Sequence, residues 1–265
     1  MHSEFVLAGN YVDEVSYFGY AKGTSVGVAP HAKLAIYKVL WNEGGTVIDL
    51  VAGLDQAVTN GVGVINISLD FDLLPLYEDI VAKATSAAME KGIVVVVAAG
   101  NEGPLKRITN GIPWGLTVTA SAIDRWLAGS LIFGNGETIF GWSMFPGDTL
   151  IQNLPLVYKK TLSSCTSLEL YDVKDKIIMC DPRNFFDQTD SIAKSNASGA
   201  IIVSDHARLR ERRDVRRFPC PCVVISSEEA AVVMSYLENS ANSLKVTMNF
   251  KQTFTETKPA PTLAY

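Results

Sequence analysis

The sequence lacks a long apolar run. The longest, Ile93 to Ala99, is far short of the roughly 20 residues a spanning helix needs, so no membrane segment is expected. Positive charge is not in excess: Lys plus Arg number 23 against 28 Asp plus Glu, for a net charge of -5. A nucleic-acid partner is therefore not expected, because such proteins neutralise phosphates with a basic surface. One local exception, Arg208 to Arg217, holds six arginines with Glu211 and Asp214 among them and reads as an exposed loop before an anion site. Histidine is scarce, at three residues, and all four cysteines lie at or beyond position 165. Cys220-Pro221-Cys222 has neither histidine neighbours nor a second close pair, so no metal is expected there. No G-x-G-x-x-G follows an expected strand, which excludes a dinucleotide fold, and no cofactor is expected. Met1-His2-Ser3-Glu4 lacks the basic start, apolar core and small-residue cleavage site of a secretory leader.

What the chain does hold is length and apolar content: 265 residues, 48% hydrophobic, enough for a real core in one large or two modest domains. Gly92 to Pro104 reads GIVVVVAAGNEGP. Its five apolar residues, Ile93 to Val97, predict a strand buried on both faces of a parallel sheet. Asn101 then falls at the carboxyl end of that strand, the edge where open α/β sheets place ligands. Val47 to Asn60 has helical apolar spacing with Gly61 as its stop, and Val62 to Leu69 predicts a second buried strand. Leu76 to Lys91 predicts another helix, with Glu78 and Asp79 near its start and Lys91 at its end, as the helix dipole favours. This alternation is the α/β pattern. Lys33 to Leu40 and Thr117 to Ala122 read as further strands, and Ser130 to Phe140 as a hairpin turning at the pair Asn135-Gly136. From about Asp148 the texture changes to short strands (Leu154 to Tyr158, Lys176 to Cys180, Ala200 to Ser204, Cys222 to Ser226) with a helix at Glu228 to Leu237.

The stretch AAGNEGP resembles the oxyanion-hole strand of the subtilisin-like serine proteases, and within them the plant subtilases; the likeness is nearly continuous from Tyr17 to Pro146. The resemblance implies that Asn101 donates its side-chain amide to the oxygen that becomes negative in acyl transfer. It implies a substrate-binding role for Ala98, Ala99 and Gly100 and for Ser68, Leu69 and Asp70. Asp70 stands where the family has glycine, and a carboxylate there crowds or repels a substrate strand. Ala8-Gly9-Asn10 resembles the triplet after the catalytic histidine, which would place that histidine two positions before Met1. The family's Asp-x-Gly, His-Gly-Thr-His and Gly-Thr-Ser motifs are expected to lie outside this chain, the first two before Met1 and the last after Tyr265. The resemblance thus implies an internal piece of a longer precursor or a shortened gene. His31 reads as a surface histidine.

The second half resembles the protease-associated (PA) domain that plant subtilases insert into their catalytic domain. The expected fold is therefore α/β: a partial subtilisin-like parallel sheet with flanking helices over 1–147, a mainly β PA-like insert over 148–250, and a return segment over 251–265. The family places a disulfide at the positions of Cys165 and Cys180, while Cys220 and Cys222 read as too tight for an easy mutual bond. Of two sequons, Asn66 lies in an expected buried strand and Asn196 in a polar turn open to glycosylation.

Function by resemblance is that of a serine endopeptidase, extracellular by family, acting on a polypeptide substrate where the full-length enzyme exists. Loss of the serine or histidine alone costs subtilisin roughly 2 × 10⁶ in kcat. The chain alone is therefore expected to hydrolyse no peptide bond. The alternative is a non-catalytic interaction module whose working part is the PA-like half, with self-association through it. With the aspartate strand and the histidine and serine helices absent, the apolar faces of the remaining strands are expected to lie partly uncovered.

Overall fold

The computed structural model describes residues 2–42, 44–69, 74–101, 108–168, 171–205, 218–239, 244–255 and 262–263. The chain divides into two compact units: Met1–Tyr11, Val26–Ala122 and Pro261–Tyr265 form the first, and Val12–Ser25 with Ile123–Ala260 the second. Among the described residues no helix is long and apolar enough to cross a membrane.

The first unit opens with helix α1 (His2–Ala8), and its centre is a parallel sheet of β3 (Val64–Ile67), β4 (Val94–Ala98) and β5 (Leu116–Val118) in that order. Helix α2 (Val47–Thr59) starts at a capping box: the Thr46 hydroxyl accepts from the Asp49 N–H, and Asp49 accepts from the Thr46 N–H. That exchange holds the Asp49 carboxyl below its usual range, the Thr46 hydroxyl contributing most. Leu50, Leu54 and Ala57 recur at helical spacing and are buried. Helix α3 (Ile80–Glu90) is capped by Asp79, whose carboxylate accepts from Val81 and Ala82. The two helices close over Ile65, Ile67, Ile93, Val95 and Val97, and this is the unit's core.

Burial along β4 alternates, which corrects the expectation of a strand covered on both faces. Val95 and Val97 pack under the helices, whereas Val94 is 49% exposed, as are Val64 (60%) and Leu116 (60%) beside it. The opposite face is open among the described residues. The same alternation corrects Asn66: it lies on the exposed face of β3, its Nδ2 donating to Ser68 Oγ at 3.0 Å. Lys33–Leu40 forms no ladder. It carries no regular secondary structure, with Tyr37 and Val39 against the helix-side core and the Tyr37 hydroxyl accepting from Asn60. The expected strand at Thr117–Ala122 splits into β5 and a separate β6 (Ser121–Ala122), which pairs with β14 (Thr262–Leu263).

The second unit is a closed barrel ordered β10-β11-β12-β8-β7-β13-β9. Its strands are β7 (Trp126–Phe133), β8 (Thr138–Trp142), β9 (Ile151–Val157), β10 (Ile177–Cys180), β11 (Gly199–Val203), β12 (Cys222–Ile225) and β13 (Lys245–Phe254). Strands β9, β10, β11 and β12 run parallel; the remaining pairings are antiparallel. Helix α4 (Phe185–Lys194), unforeseen from sequence, connects β10 to β11, and α5 (Ser227–Asn239) connects β12 to β13.

Successive residues of one strand feed different cores, which explains the unbroken apolar runs. Ala200 and Ile202 pack with Phe185 and Ile192 of α4, while Ile201 and Val203 pack with Ala230 and Val233 of α5. A hairpin of β1 (Val12–Tyr17) and β2 (Tyr20–Ser25) belongs to this unit, the buried Tyr20 hydroxyl donating to the Phe145 carbonyl.

The unit border therefore falls at Ala122, where the sequence suggested 147. The β7–β8 hairpin is local in sequence, but its neighbours are β13 and β12, about a hundred residues on. Likewise β13 continues to Phe254, and Pro261–Tyr265 belongs to the first unit, against an expected return segment starting at 251. The hairpin loop holds three residues, Gly134-Asn135-Gly136: Gly136 N–H donates to Phe133 O, and Gly136 takes φ 88°. That is a turn closed by a left-handed glycine, in place of the expected two-residue type.

Candidate functional site

Strands β3 and β4 are adjacent and parallel, with Ile67 opposite Val97, so their carboxyl ends meet at one edge of the sheet. Ser68 and Leu69 emerge there beside Ala98, Ala99, Gly100 and Asn101. The sequence grouped these residues by pattern, and the topology brings them together. Asn101 is exposed. Asp70 lies outside the described residues, as do 102–107.

The turn into Asn101 depends on Gly100. Its φ is +96°, and a Cβ there would stand 2.3 Å from Thr109 Oγ1. The neighbour that takes the room left by the missing Cβ is Thr109 of the same chain. Thr109 also closes the turn, its N–H donating to the Ala99 carbonyl at 3.1 Å and its hydroxyl at 3.3 Å. Ala99 N–H in turn donates to Val118 O, tying the β4 exit to β5.

Asn110 is the residue that sequence reasoning missed. Buried at 7% exposure, it donates from Nδ2 to the Leu69 carbonyl at 2.7 Å and the Ala98 carbonyl at 2.8 Å. One amide thus fixes the exits of β3 and β4 relative to each other. The Asn110 backbone carbonyl accepts from the Thr117 hydroxyl and the Ile112 N–H. In the sequence, Asn110-Gly111 has the form of an ordinary turn pair, and nothing local distinguishes it. Behind it, Trp114 Nε1 donates to the fully buried Thr85 hydroxyl, which returns its own proton to the α3 backbone. A cavity of about 300 Å³ opens beside this framework, lined by Leu76, Val81, Val97, Ile108, Asn110 and Ile112 among others. Its wall is mainly apolar, with Asp79, Thr85, Thr109 and Asn110 as the polar residues, a composition suited to a side chain.

Reactive groups are not assembled around this edge among the described residues. His31 is exposed. The expectation that no serine motif occurs needs one correction: Gly23-Thr24-Ser25 spells the same tripeptide. It lies on β2 in the barrel unit, where Thr24 donates to Asp13 at 2.7 Å, Ser25 pairs with Val12, and no described histidine shares the unit. His206 and the arginine run 208–217 lie outside the described residues. No group of three or more His, Cys, Asp or Glu side chains stands together as a metal would require among the described residues.

The remaining expected sites are in the barrel unit. Cys165 and Cys180 are bonded, with Cα atoms 5.7 Å apart. Beside them Asp181 accepts from the Tyr158 and Ser163 hydroxyls, and hydrogen bonding to that carboxylate pushes the Tyr158 phenol up. Asn196 is exposed, and its amide ties a loop: Oδ1 accepts from Val173 N–H and Nδ2 donates to Asp172.

Comparison with known proteins matches residues 6–250 to the family described as Peptidase S8, the subtilase family. Among curated relatives, "Subtilisin-like protease SBT3" of Solanum lycopersicum is 41% identical over 269 residues, covering 99% of this chain and 35% of the relative. "Subtilisin-like protease SBT1.9" of Arabidopsis thaliana is 36% identical, covering 98% of this chain and 36% of the relative. "Subtilisin-like protease SBT1.7" of the same plant is 32% identical, with coverages of 99% and 36%. The chain thus spans about a third of the length of these relatives.

Proposed function

The chain belongs to the subtilase family, and on that footing we propose that it carries the oxyanion side of a subtilisin-type serine endopeptidase, with Asn101 as the donor to the tetrahedral intermediate. The observation that carries the reading is the exposed Asn101 at the carboxyl edge of a parallel sheet, delivered by a glycine at φ +96° and flanked by the β3 exit. A donor carried on a positioned backbone needs little reorganisation when charge develops on the substrate oxygen. Ser68, Leu69, Ala98, Ala99 and Gly100 supply backbone for an extended peptide, and the adjoining apolar cavity takes one of its side chains. Asp70, in place of the family's glycine, narrows that substrate range. The barrel unit is the PA-type insert, a non-catalytic module that governs access or self-association. The site of action is extracellular, where Asn196 is open to glycosylation.

The chemistry needs a nucleophile, a base and an orienting acid that the described residues do not bring to Asn101. The chain by itself turns over no peptide, and turnover of a fluorogenic peptide blocked by a serine-directed reagent would overturn that statement. Full-length transcripts should carry the Asp, His and Ser motifs in frame around this segment. In the protein they encode, Asn101→Ala should lower kcat by about 10²–10³ at nearly constant KM, a magnitude measured in subtilisin itself. An unchanged kcat would remove Asn101 from the mechanism. A full-length protein without the three motifs would leave the interaction-module reading in its place.

A further inference from the structure

Cys220 and Cys222 stand at the entrance to β12, both buried, with 1% and 0% exposure, and neither takes part in the Cys165–Cys180 bond. The sequence marks the tripeptide Cys220-Pro221-Cys222 as too tight for an easy bond. The structure brings the two sulfurs to 3.4 Å, with the Cys220 thiol donating to Cys222 Sγ. Residues two apart in an extended strand have Cα atoms about 6.6 Å apart, at the upper limit a disulfide spans, and a bend before the strand shortens that distance. Cys220 and Pro221 lie in such a bend, with Cys222 opening the strand.

The backbone of the tripeptide is held at two of its three carbonyls. Pro221 O accepts from Ala200 N–H at 2.9 Å, and Cys222 O accepts from the Ser143 hydroxyl at 2.7 Å. Proline fixes φ between the two cysteines. Both thiols therefore face each other in the same core, packed with Phe218 and Trp142, without a competing partner for sulfur among the described residues. Burial pushes the Cys222 thiol well up, so the closed barrel disfavours the thiolate that exchange requires.

We propose that Cys220 and Cys222 form a second, redox-labile disulfide, made while the barrel is open and enclosed when it closes. One thiolate attacks a small disulfide such as oxidised glutathione, forming a mixed disulfide and releasing one glutathione. The second thiolate attacks the cysteine sulfur of that mixed bond, forming Cys220–Cys222 and releasing the other. The dithiol loses two electrons and two protons, and the two departing glutathiones carry them away. A ring closed by residues two apart is tighter than the loop closed by Cys165 and Cys180, which are separated by 15 positions. The tighter ring is the more easily reduced.

The test refolds the reduced full chain in buffers of stepped reduced-to-oxidised glutathione ratio, then acid-quenches, unfolds, alkylates and maps tryptic peptides by mass. In oxidising buffer the peptide that begins at Phe218 is expected to carry no alkyl group and to weigh two hydrogens less than its dithiol. It should open at a reduced-glutathione concentration at least tenfold lower than Cys165–Cys180 requires. Cys222→Ser must abolish that two-hydrogen loss, leaving Cys220 alkylated or capped by glutathione. Two alkylated thiols at every ratio, in samples where Cys165–Cys180 has formed, overturn the proposal. Bonds from Cys220 or Cys222 to Cys165, Cys180 or a second chain overturn it equally.

Discussion

Replacing Asn110 by alanine removes two hydrogen bonds from one buried amide, at 2.7 Å to Leu69 O and 2.8 Å to Ala98 O. Each neutral bond is worth about 0.5–1.5 kcal/mol net, and an acceptor left buried without a donor costs about 1–3 kcal/mol. Leu69 and Ala98 are half-buried, so water reaches the freed carbonyls in part and the lower half of that range applies. The expected loss is about 2–4 kcal/mol, or a roughly 30- to 1,000-fold rise in opening. Hydrogen exchange read by mass reports it directly. Amides of Val64–Ile67 and Val94–Ala98 should exchange faster by that factor, while barrel peptides from β10 and β11 stay unchanged. Asn110→Asp keeps the size but turns an oxygen toward both carbonyls. It should cost more than alanine at neutral pH and recover in acid: a carboxyl whose folded pKa is raised stabilises when protonated, and that stability is lost as pH rises. Acceleration below threefold in β3 and β4, or equal acceleration in the barrel, would refute the reasoning.

Other consequences are independent of that amide. Gly100→Ala forces a Cβ into the +96° backbone and against Thr109, so the first unit should lose about 1–3 kcal/mol from the backbone alone in urea unfolding. Adding Thr109→Ala should restore only part of it, and full recovery would show that contact, not φ, was the cause. Ile201→Ala empties a fully buried position in the barrel and should cost about 2–5 kcal/mol in the barrel's transition, leaving exchange in β4 unchanged. The Asp172 carboxyl is held below its usual range by the Lys174 N–H and then by the Asn196 amide. A depressed carboxylate stabilises the fold above its unfolded pKa, and that contribution fades as pH falls through the folded one. Asn196→Ala should therefore move the Asp172 midpoint upward in an NMR titration, and an unmoved midpoint would count against the contact.

Much of this protein is written in short-range pattern. Leu50, Leu54 and Ala57 announce α2 because burial of one helical stripe needs only their spacing, and Thr46 with Asp49 announces its start. The apolar runs of β4 and β11 announce strands, and the motif around Asn101 announces the family, because these signals sit within a dozen residues. What the runs could not say is whether both faces are covered. In β11 they are, by cores against α4 and α5; in β4 one face is open among the described residues, because coverage depends on elements distant in the chain. The unit border was hidden for the same reason: a β7–β8 hairpin reads alike in either unit until β12 and β13 pair with it. Asn110 looked like a turn residue, and Cys220 and Cys222 like a pair too close to bond. Only folding set that amide between two strand exits and those sulfurs face to face, since a hydrogen bond or a thiol contact is fixed by where distant backbone stands and not by the letters beside it.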